Sequence, residues 1–326
     1  MNIPLSLRGA KAPVALTAAV MLAASACGGA DAGSQGGGDG DKLAGTIKVD
    51  GSSTVAPLST AAAQLFQQQN AGVKVTVGTS GTGGGFEKFC AGETDISDAS
   101  RPIKDEEKAA CEKKGIKYEE FQVANDGLSV VVSKENDFAD CLTVEQLRKI
   151  WEPGSKVTNW KQVDPKFPDV KLELFGAGTD SGTFDYFTDA VNGEEGKSRT
   201  DYSPSEDDNV TVQGVSGSKG GMGYFGLSYY EENKDKLKVL KVDGGGGCVE
   251  PTQATVQDGS YKPLSRPLFI YPNATSLEKK EVEAFVEYYV ENHAEIAKKA
   301  LFVPLNSSQE AELKKALESL KAQHAS

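Results

Sequence analysis

Ser181 stands between Asp180 and Gly182 in the stretch GTDSGTFDYFTDA, residues 178–190, just before a run with helical character. Two chemistries suit a serine so placed. As a nucleophile it would need an adjacent base, because a serine hydroxyl is unreactive at neutral pH without one. As part of a helix N-terminus it would help free backbone N–H groups hold an anion. The nucleophile finds no base: the two histidines are His293, beside the apolar face of a late helix, and His324, two residues from the C-terminus. The local pattern is not a G-x-S-x-G elbow, and no histidine cluster suits a catalytic zinc. Anion binding is the leading expectation, with a secreted serine hydrolase or phosphatase as an alternative.

Two further stretches have the same build. VDGSSTVAPL, residues 49–58, places Ser52, Ser53 and Thr54 after a strand and before a helix. VGTSGTGGGFEKF, residues 77–89, brings three consecutive glycines to a helix start, where backbone can approach a ligand closely. Ser, Thr and Gly are also ordinary capping residues, so each stretch alone says little. Three of them, each after a strand, point to one oxyanion site. The second lacks the Gly-Lys-Ser/Thr ending of a P-loop, and no dinucleotide fingerprint is present. Arg101, in SDASRPI at a predicted strand end, has a planar fork that can hold an oxyanion with two parallel hydrogen bonds.

The elements that must position these residues alternate. TIKVDG, VKVTVG, LSVVVS, KLELFGAG and RPLFIY read as strands, and VAPLSTAAAQLFQQQ as a helix. Ser276 to Ala300 reads as one helix with Val282, Val286, Tyr289 and Ile296 on a single face, and a last helix follows Asn306 or Ser307 as N-cap. Strand–helix alternation predicts an α/β protein with largely parallel sheets, whose ligands sit at the carboxyl ends of the strands.

The 326 residues, 38% of them hydrophobic, are enough for two domains, and a net charge of −12 argues against nucleic acid as a partner. Residues 1–27 read as a signal peptide: Arg8 and Lys11, a short apolar core, then small residues before Cys27. This segment resembles a lipoprotein signal, with Ala24 standing where leucine is usual and Cys27 as the lipidated residue. Residues 28–42 are a glycine-rich tether suited to an anchored domain. Export makes Cys90, Cys111, Cys141 and Cys248 candidates for disulfides in any of three pairings, and no C-x-x-C spacing suggests a metal.

Together the motifs DGSSTVAPL, GTSGTGGGFEKFCAGETDISDASRPI, GTDSGTFDYF, EDDNVTVQGVSGSKGGMGYFG and SRPLFIYP resemble the phosphate-binding receptors of phosphate-specific ABC importers, the PstS type, from about residue 43 onward. The resemblance implies a two-lobed periplasmic-binding-protein fold whose chain crosses between lobes and closes on one phosphate. It implies an extracytoplasmic, lipid-anchored monomer on the cell membrane that serves ABC permease subunits, without cofactor or metal. Carried over by position, the anion loops fall on Ser53, Thr54 and the N–H of Val55; on Ser80 or Thr82; and on Ser181, Gly182 and Thr183. Some members place an aspartate after the AS pair and an arginine before SGT; here those positions hold Arg101 and Ala177-Gly178. Arg101 is then expected to supply the charge, and Asp180, with Asp98 behind it, to accept the phosphate proton. Sulfate, molybdate or an organic anion is the alternative ligand; sulfate carries no proton for such a carboxylate.

Under that architecture lobe one comprises residues 43–124 and 265–326, and lobe two residues 125–264. A bridge between lobes would restrain the hinge, so the pairing compatible with closure is Cys90–Cys111 and Cys141–Cys248.

Overall fold

The computed structural model describes residues 43–179 and 181–324; the signal, Cys27, the tether and Asp180 lie outside the described residues. Alternation of apolar and polar residues builds β1 (Ala44–Gly51) and β2 (Gly72–Gly78), which pair in parallel through α1 (Ala56–Gln69). Pro57 sits in the first turn of α1, where a missing N–H leaves no helix bond unmade. α2 (Gly81–Cys90) leads to β3 (Ile96–Ala99), and α3 (Asp105–Lys113) leads to the long β4 (Phe121–Ser133).

β5 (Cys141–Thr143), α4 (Val144–Trp151), α5 (Trp160–Val163) and β6 (Glu173–Ala177) follow. α6 (Gly182–Phe187) continues as a π-helical turn over Thr188–Asn192, before β7 (Ser203–Ser205), α7 (Asp208–Ser216) and β8 (Gly221–Gly226). After α8 (Leu227–Asn233) come the short β9 (Leu237–Val239), β10 (Lys241–Asp243) and β11 (Cys248–Val249), then α9 (Gln253–Gln257) and β12 (Ser265–Pro272). A 3-10 turn, Ala274–Glu278, precedes α10 (Lys280–Glu291), α11 (His293–Lys299) and α12 (Ser307–His324).

One curled sheet runs β2-β1-β3-β12-β4-β8-β6-β7 with β9 also on β4, and β11-β10-β5 form a second, small sheet. β4 threads the molecule. Phe121 to Gly127 pair with β12, whereas Leu128 to Val132 pair with β8. Its side chains change core along the way: Phe121, Val123 and Ala124 join a cluster with α1, α10, α11 and α12, and Leu128, Val130 and Val132 join another around Trp151, Trp160 and Tyr224. The two clusters are the cores of two lobes.

The expectation of largely parallel sheets needs correcting. The outer pairs are parallel, but β12 is antiparallel to β3 and β4, and β4 is antiparallel to β8. Strands that carry the chain out of one lobe and back must run in opposite senses. The helix expected from Ser276 to Ala300 is likewise broken: Asn292 leaves helical geometry and its side-chain amide donates to Tyr288 O at 2.8 Å. Val282, Val286, Tyr289 and Ile296 are nonetheless all fully buried on one face. Asn306 Oδ1 caps α12, accepting from the N–H groups of Ser308 and Gln309 at 3.0 Å each. Disulfides join Cys90 to Cys111, between α2 and α3, and Cys141 to Cys248, between β5 and β11.

Candidate functional site

The chain leaves β1 through Gly51, whose φ of 147° is closed to other residues and whose Cβ would lie 2.1 Å from Asp98 O. This lets Ser52 N donate to Asp98 O at 2.9 Å and start α1, with Val55 N and Ala56 N donating back to Ser52 O at 3.2 and 3.0 Å. Ser53 and Thr54 are left facing the cleft between the lobes. The Val55 N–H is directed at Ser52 rather than into that space.

In the second loop Ser80 turns away. Its N–H donates to Asp50 Oδ1 at 3.1 Å and its hydroxyl bonds the same oxygen. Burial opposes ionisation of Asp50, but the bonds from Lys88 and Ser80 outweigh it and hold the carboxyl below its usual range. Thr82, two residues further, lines the cleft; its hydroxyl lies 3.2 Å from Ser100 Oγ and accepts from Ser100 N at 3.3 Å.

The third loop leaves β6 in the other lobe. Ser181 is the N-cap of α6, its Oγ accepting from Thr183 N at 3.1 Å, and its own N–H donates to Gly178 O at 3.2 Å. Thr54 Oγ donates to the Gly182 carbonyl at 3.5 Å, so the first and third loops meet across the cleft. The cleft encloses about 780 Å³, within the usual range for a small-molecule site.

Two arginines line it. Arg101 is held bidentately by Glu107, at 2.8 and 2.7 Å, and its Nη1 also donates to Pro102 O at 3.1 Å. Burial works against the charge of Glu107, but Arg101 and the Lys104 N–H hold its carboxyl below the usual range. Arg266 enters from β12. It pairs through Nε with Asp126 Oδ2 at 3.2 Å, donates from Nη2 to Thr54 Oγ at 3.0 Å, and its Cζ stacks 3.6 Å from the centroid of the Tyr186 ring. Burial pushes the Asp126 carboxyl up and the Arg266 charge pulls against it. Opposite lie Asp185, Asp189 and Glu195. Burial raises Asp185 against the pull of Arg266; Glu195 is raised by burial and then by Asp185 and Asp189.

Ser53, Thr54, Thr82 and Arg101 thus reach the cleft, whereas Ser181, Gly182 and Thr183, at the start of α6, are not among the residues that line it; Asp185 and Tyr186 further along α6 are. Asp98 is buried behind the first loop with Ser59 Oγ donating to it at 2.7 Å. Sequence reasoning missed Arg266, Asp126 and Tyr186. The signal for Arg266 was present in SRPLFIYP, where an arginine opens an apolar strand.

A family model described as a PBP superfamily domain matches residues 37–293. Protein SphX of Synechococcus elongatus is 50% identical over 262 residues, 79% of this chain and 77% of its own. The phosphate-binding protein PstS of Staphylococcus saprophyticus is 46% identical over 293 residues, 89% of this chain and 88% of its own. Among solved structures, that of "a possible phosphate binding protein" from Planctomyces limnophilus aligns with TM-score 0.82 at 48% identity, covering 86% of this chain and 99% of the other.

Proposed function

This chain belongs to the PBP superfamily and, within it, to the PstS phosphate-binding proteins, and on that premise we propose that its cleft captures inorganic phosphate for delivery to the membrane subunits of an ABC importer. The observation that carries this reading is that the Gly/Ser/Thr loops after β1 and β2 line one cleft with Arg101 and Arg266, faced by α6 of the other lobe, whose first residue, Gly182, meets Thr54. Helix N-termini offer unpaired N–H donors and a partial positive charge, which suit an oxyanion. The proposed donors are Ser53 and Thr54 from the first loop, Thr82 from the second and Ser181, Gly182 and Thr183 from the third. Ser80 ranks below Thr82 because its hydroxyl is spent on Asp50.

Capture proceeds by hinged closure of lobe one, residues 43–124 and 265–326, on lobe two, residues 125–264. The change of core between Ala124 and Leu128 along β4 supports that division. The protein binds and does not turn over its ligand: the Ser181 hydroxyl is engaged as a helix cap, and neither His293 nor His324 is among the cleft residues. It acts as a monomer on the extracytoplasmic face, anchored through lipid on Cys27. Among the described residues no helix is long and apolar enough to cross a membrane.

Calorimetric titration of the purified protein with phosphate, sulfate and molybdate tests the reading. Binding of phosphate alone is the expected result. Tighter binding of sulfate, or turnover of a phosphoester, would replace it.

A further inference from the structure

We propose that Arg266, carried on the strand where the chain crosses between lobes, is the cation that grips the bound oxyanion, and that it couples occupancy to closure because it touches both lobes at once. The inference rests on the phosphate reading of the cleft. It concerns a residue outside the three loops and outside the position before SGT where some relatives keep an arginine.

Arg266 is the second residue of β12 and lies directly opposite Asp126 in the β4–β12 register. Asp126 is only 3% exposed, so the pair is anchored in the body of the hinge. The guanidinium is then fixed on two more sides: by Thr54 of the first lobe at 3.0 Å, and by the face of Tyr186, on α6 of the second lobe, at 3.6 Å. Thr54 belongs to the first anion loop, and Tyr186 follows the third by three residues. A guanidinium has five N–H donors in a rigid fork. The bonds to Asp126 and Thr54 engage Nε and Nη2, which leaves donors for a tetrahedral oxyanion in the cleft that Arg266 lines.

Arg101 is placed otherwise. Both of its terminal nitrogens are on Glu107, Nη1 serves Pro102 as well, and its side chain is 32% exposed against 18% for Arg266. The more buried cation acts through less water and so stabilises an anion more strongly.

The position on the crossing strand has a second consequence. Lobes that rotate about β4 and β12 move little relative to a group on those strands. The contact to Thr54 lies within the first lobe, whereas the contact to Tyr186 crosses to the second and is made only when the two lobes approach. An anion that draws the guanidinium into the cleft therefore favours the closed arrangement, since a ligand shifts a conformational equilibrium by its differential contacts.

The test compares wild type with Arg266→Lys, Arg266→Ala/Asp126→Asn and Arg101→Ala, titrating phosphate by calorimetry and following compaction by small-angle scattering. The double substitution removes both charges of the buried pair, and melting curves establish that each variant is folded. Arg266→Lys keeps the charge and loses the fork; it is expected to weaken phosphate by at least about 10-fold and to reduce compaction. The double variant should weaken it by about 100-fold, and Arg101→Ala by no more than about threefold. Folded Arg266 variants that bind within about threefold of wild type, or a larger loss from Arg101→Ala, would overturn the assignment. A wild-type protein that does not bind phosphate would instead overturn the phosphate reading, and this inference with it.

Discussion

Gly182 of the second lobe abuts Thr54 of the first so closely that a Cβ on Gly182 would lie 2.7 Å from Thr54 Oγ and 3.1 Å from its backbone N and Cα. The hydroxyl can rotate away; the backbone of a helix start cannot. Gly182→Ala should therefore hold the lobes apart by a few tenths of an ångström without straining its own helix, where alanine is the better residue. The expected outcome is about a 10-fold loss of phosphate affinity, since sub-ångström misplacement is costly at a pre-organised site, with an unchanged or slightly raised melting temperature of the free protein. Calorimetry with and without the substitution decides it. Undiminished affinity would mean that this contact is not made in the bound state.

Ser181→Ala separates cradle from nucleophile. The Ser181 Oγ accepts from Thr183 N at 3.1 Å, so its removal uncaps α6 and should cost about 1 kcal/mol of stability. The N–H groups of Gly182 and Thr183 survive, and one neutral hydroxyl contributes about 0.5–1.5 kcal/mol, so phosphate affinity should fall by less than about 15-fold. Abolished function in a folded Ser181→Ala protein would refute the cradle.

What could be read from the chain follows the range of the interactions. The three loops were legible because their chemistry is local: a strand, a turn of Gly, Ser and Thr, then a helix whose first N–H groups need partners. Ser52 to Ala56 satisfy that need within five residues. Arg266 was not legible as a site residue because its meaning comes from Asp126, 140 positions earlier, and from Thr54, 212 positions earlier. Arg101 shows the converse. Its planar fork suits an oxyanion, but Glu107 lies six residues on and takes both terminal nitrogens, a pairing that spacing alone did not single out among the many carboxylates. The antiparallel centre of the sheet was hidden for the same reason, since strand direction is set by which lobe the chain is leaving and no local pattern encodes that.

The two disulfides should differ both in contribution and in accessibility. Cys90–Cys111 closes a separation of 21 residues and Cys141–Cys248 one of 107, so loop entropy assigns them about 3 and about 5 kcal/mol. Cys90 and Cys111 are 4% and 0% exposed, whereas Cys248 is exposed at the edge of the small sheet. Under native conditions a mild reductant should open Cys141–Cys248 first, because the inner bridge needs α2 and α3 to separate. Timed alkylation followed by peptide mapping reads the order. Earlier labelling of Cys90 and Cys111 would contradict it.

Asp98 makes stability depend on pH in a direction opposite to that of most carboxylates. Its side chain is fully buried on β3, with Ser59 Oγ donating at 2.7 Å, and its backbone carbonyl accepts from Ser52 N at 2.9 Å. Burial pushes its pKa up from 3.8 to about 8; repulsion from Asp50 adds to this and the Ser59 hydrogen bond opposes it. Between those two values the folded protein keeps a proton that the unfolded chain has released. Stability from this group is thus complete below the unfolded value and declines as pH rises, by up to about 1.4 kcal/mol per unit, until it levels off above the folded value. Asp98→Asn keeps the shape and an acceptor for Ser59 but has no proton to lose, so the decline should vanish. Urea midpoints of both proteins across mildly acidic to mildly alkaline buffers should converge at the acid end and separate in favour of the asparagine variant as pH rises. Parallel profiles would show that Asp98 is ionised in the folded protein at neutral pH.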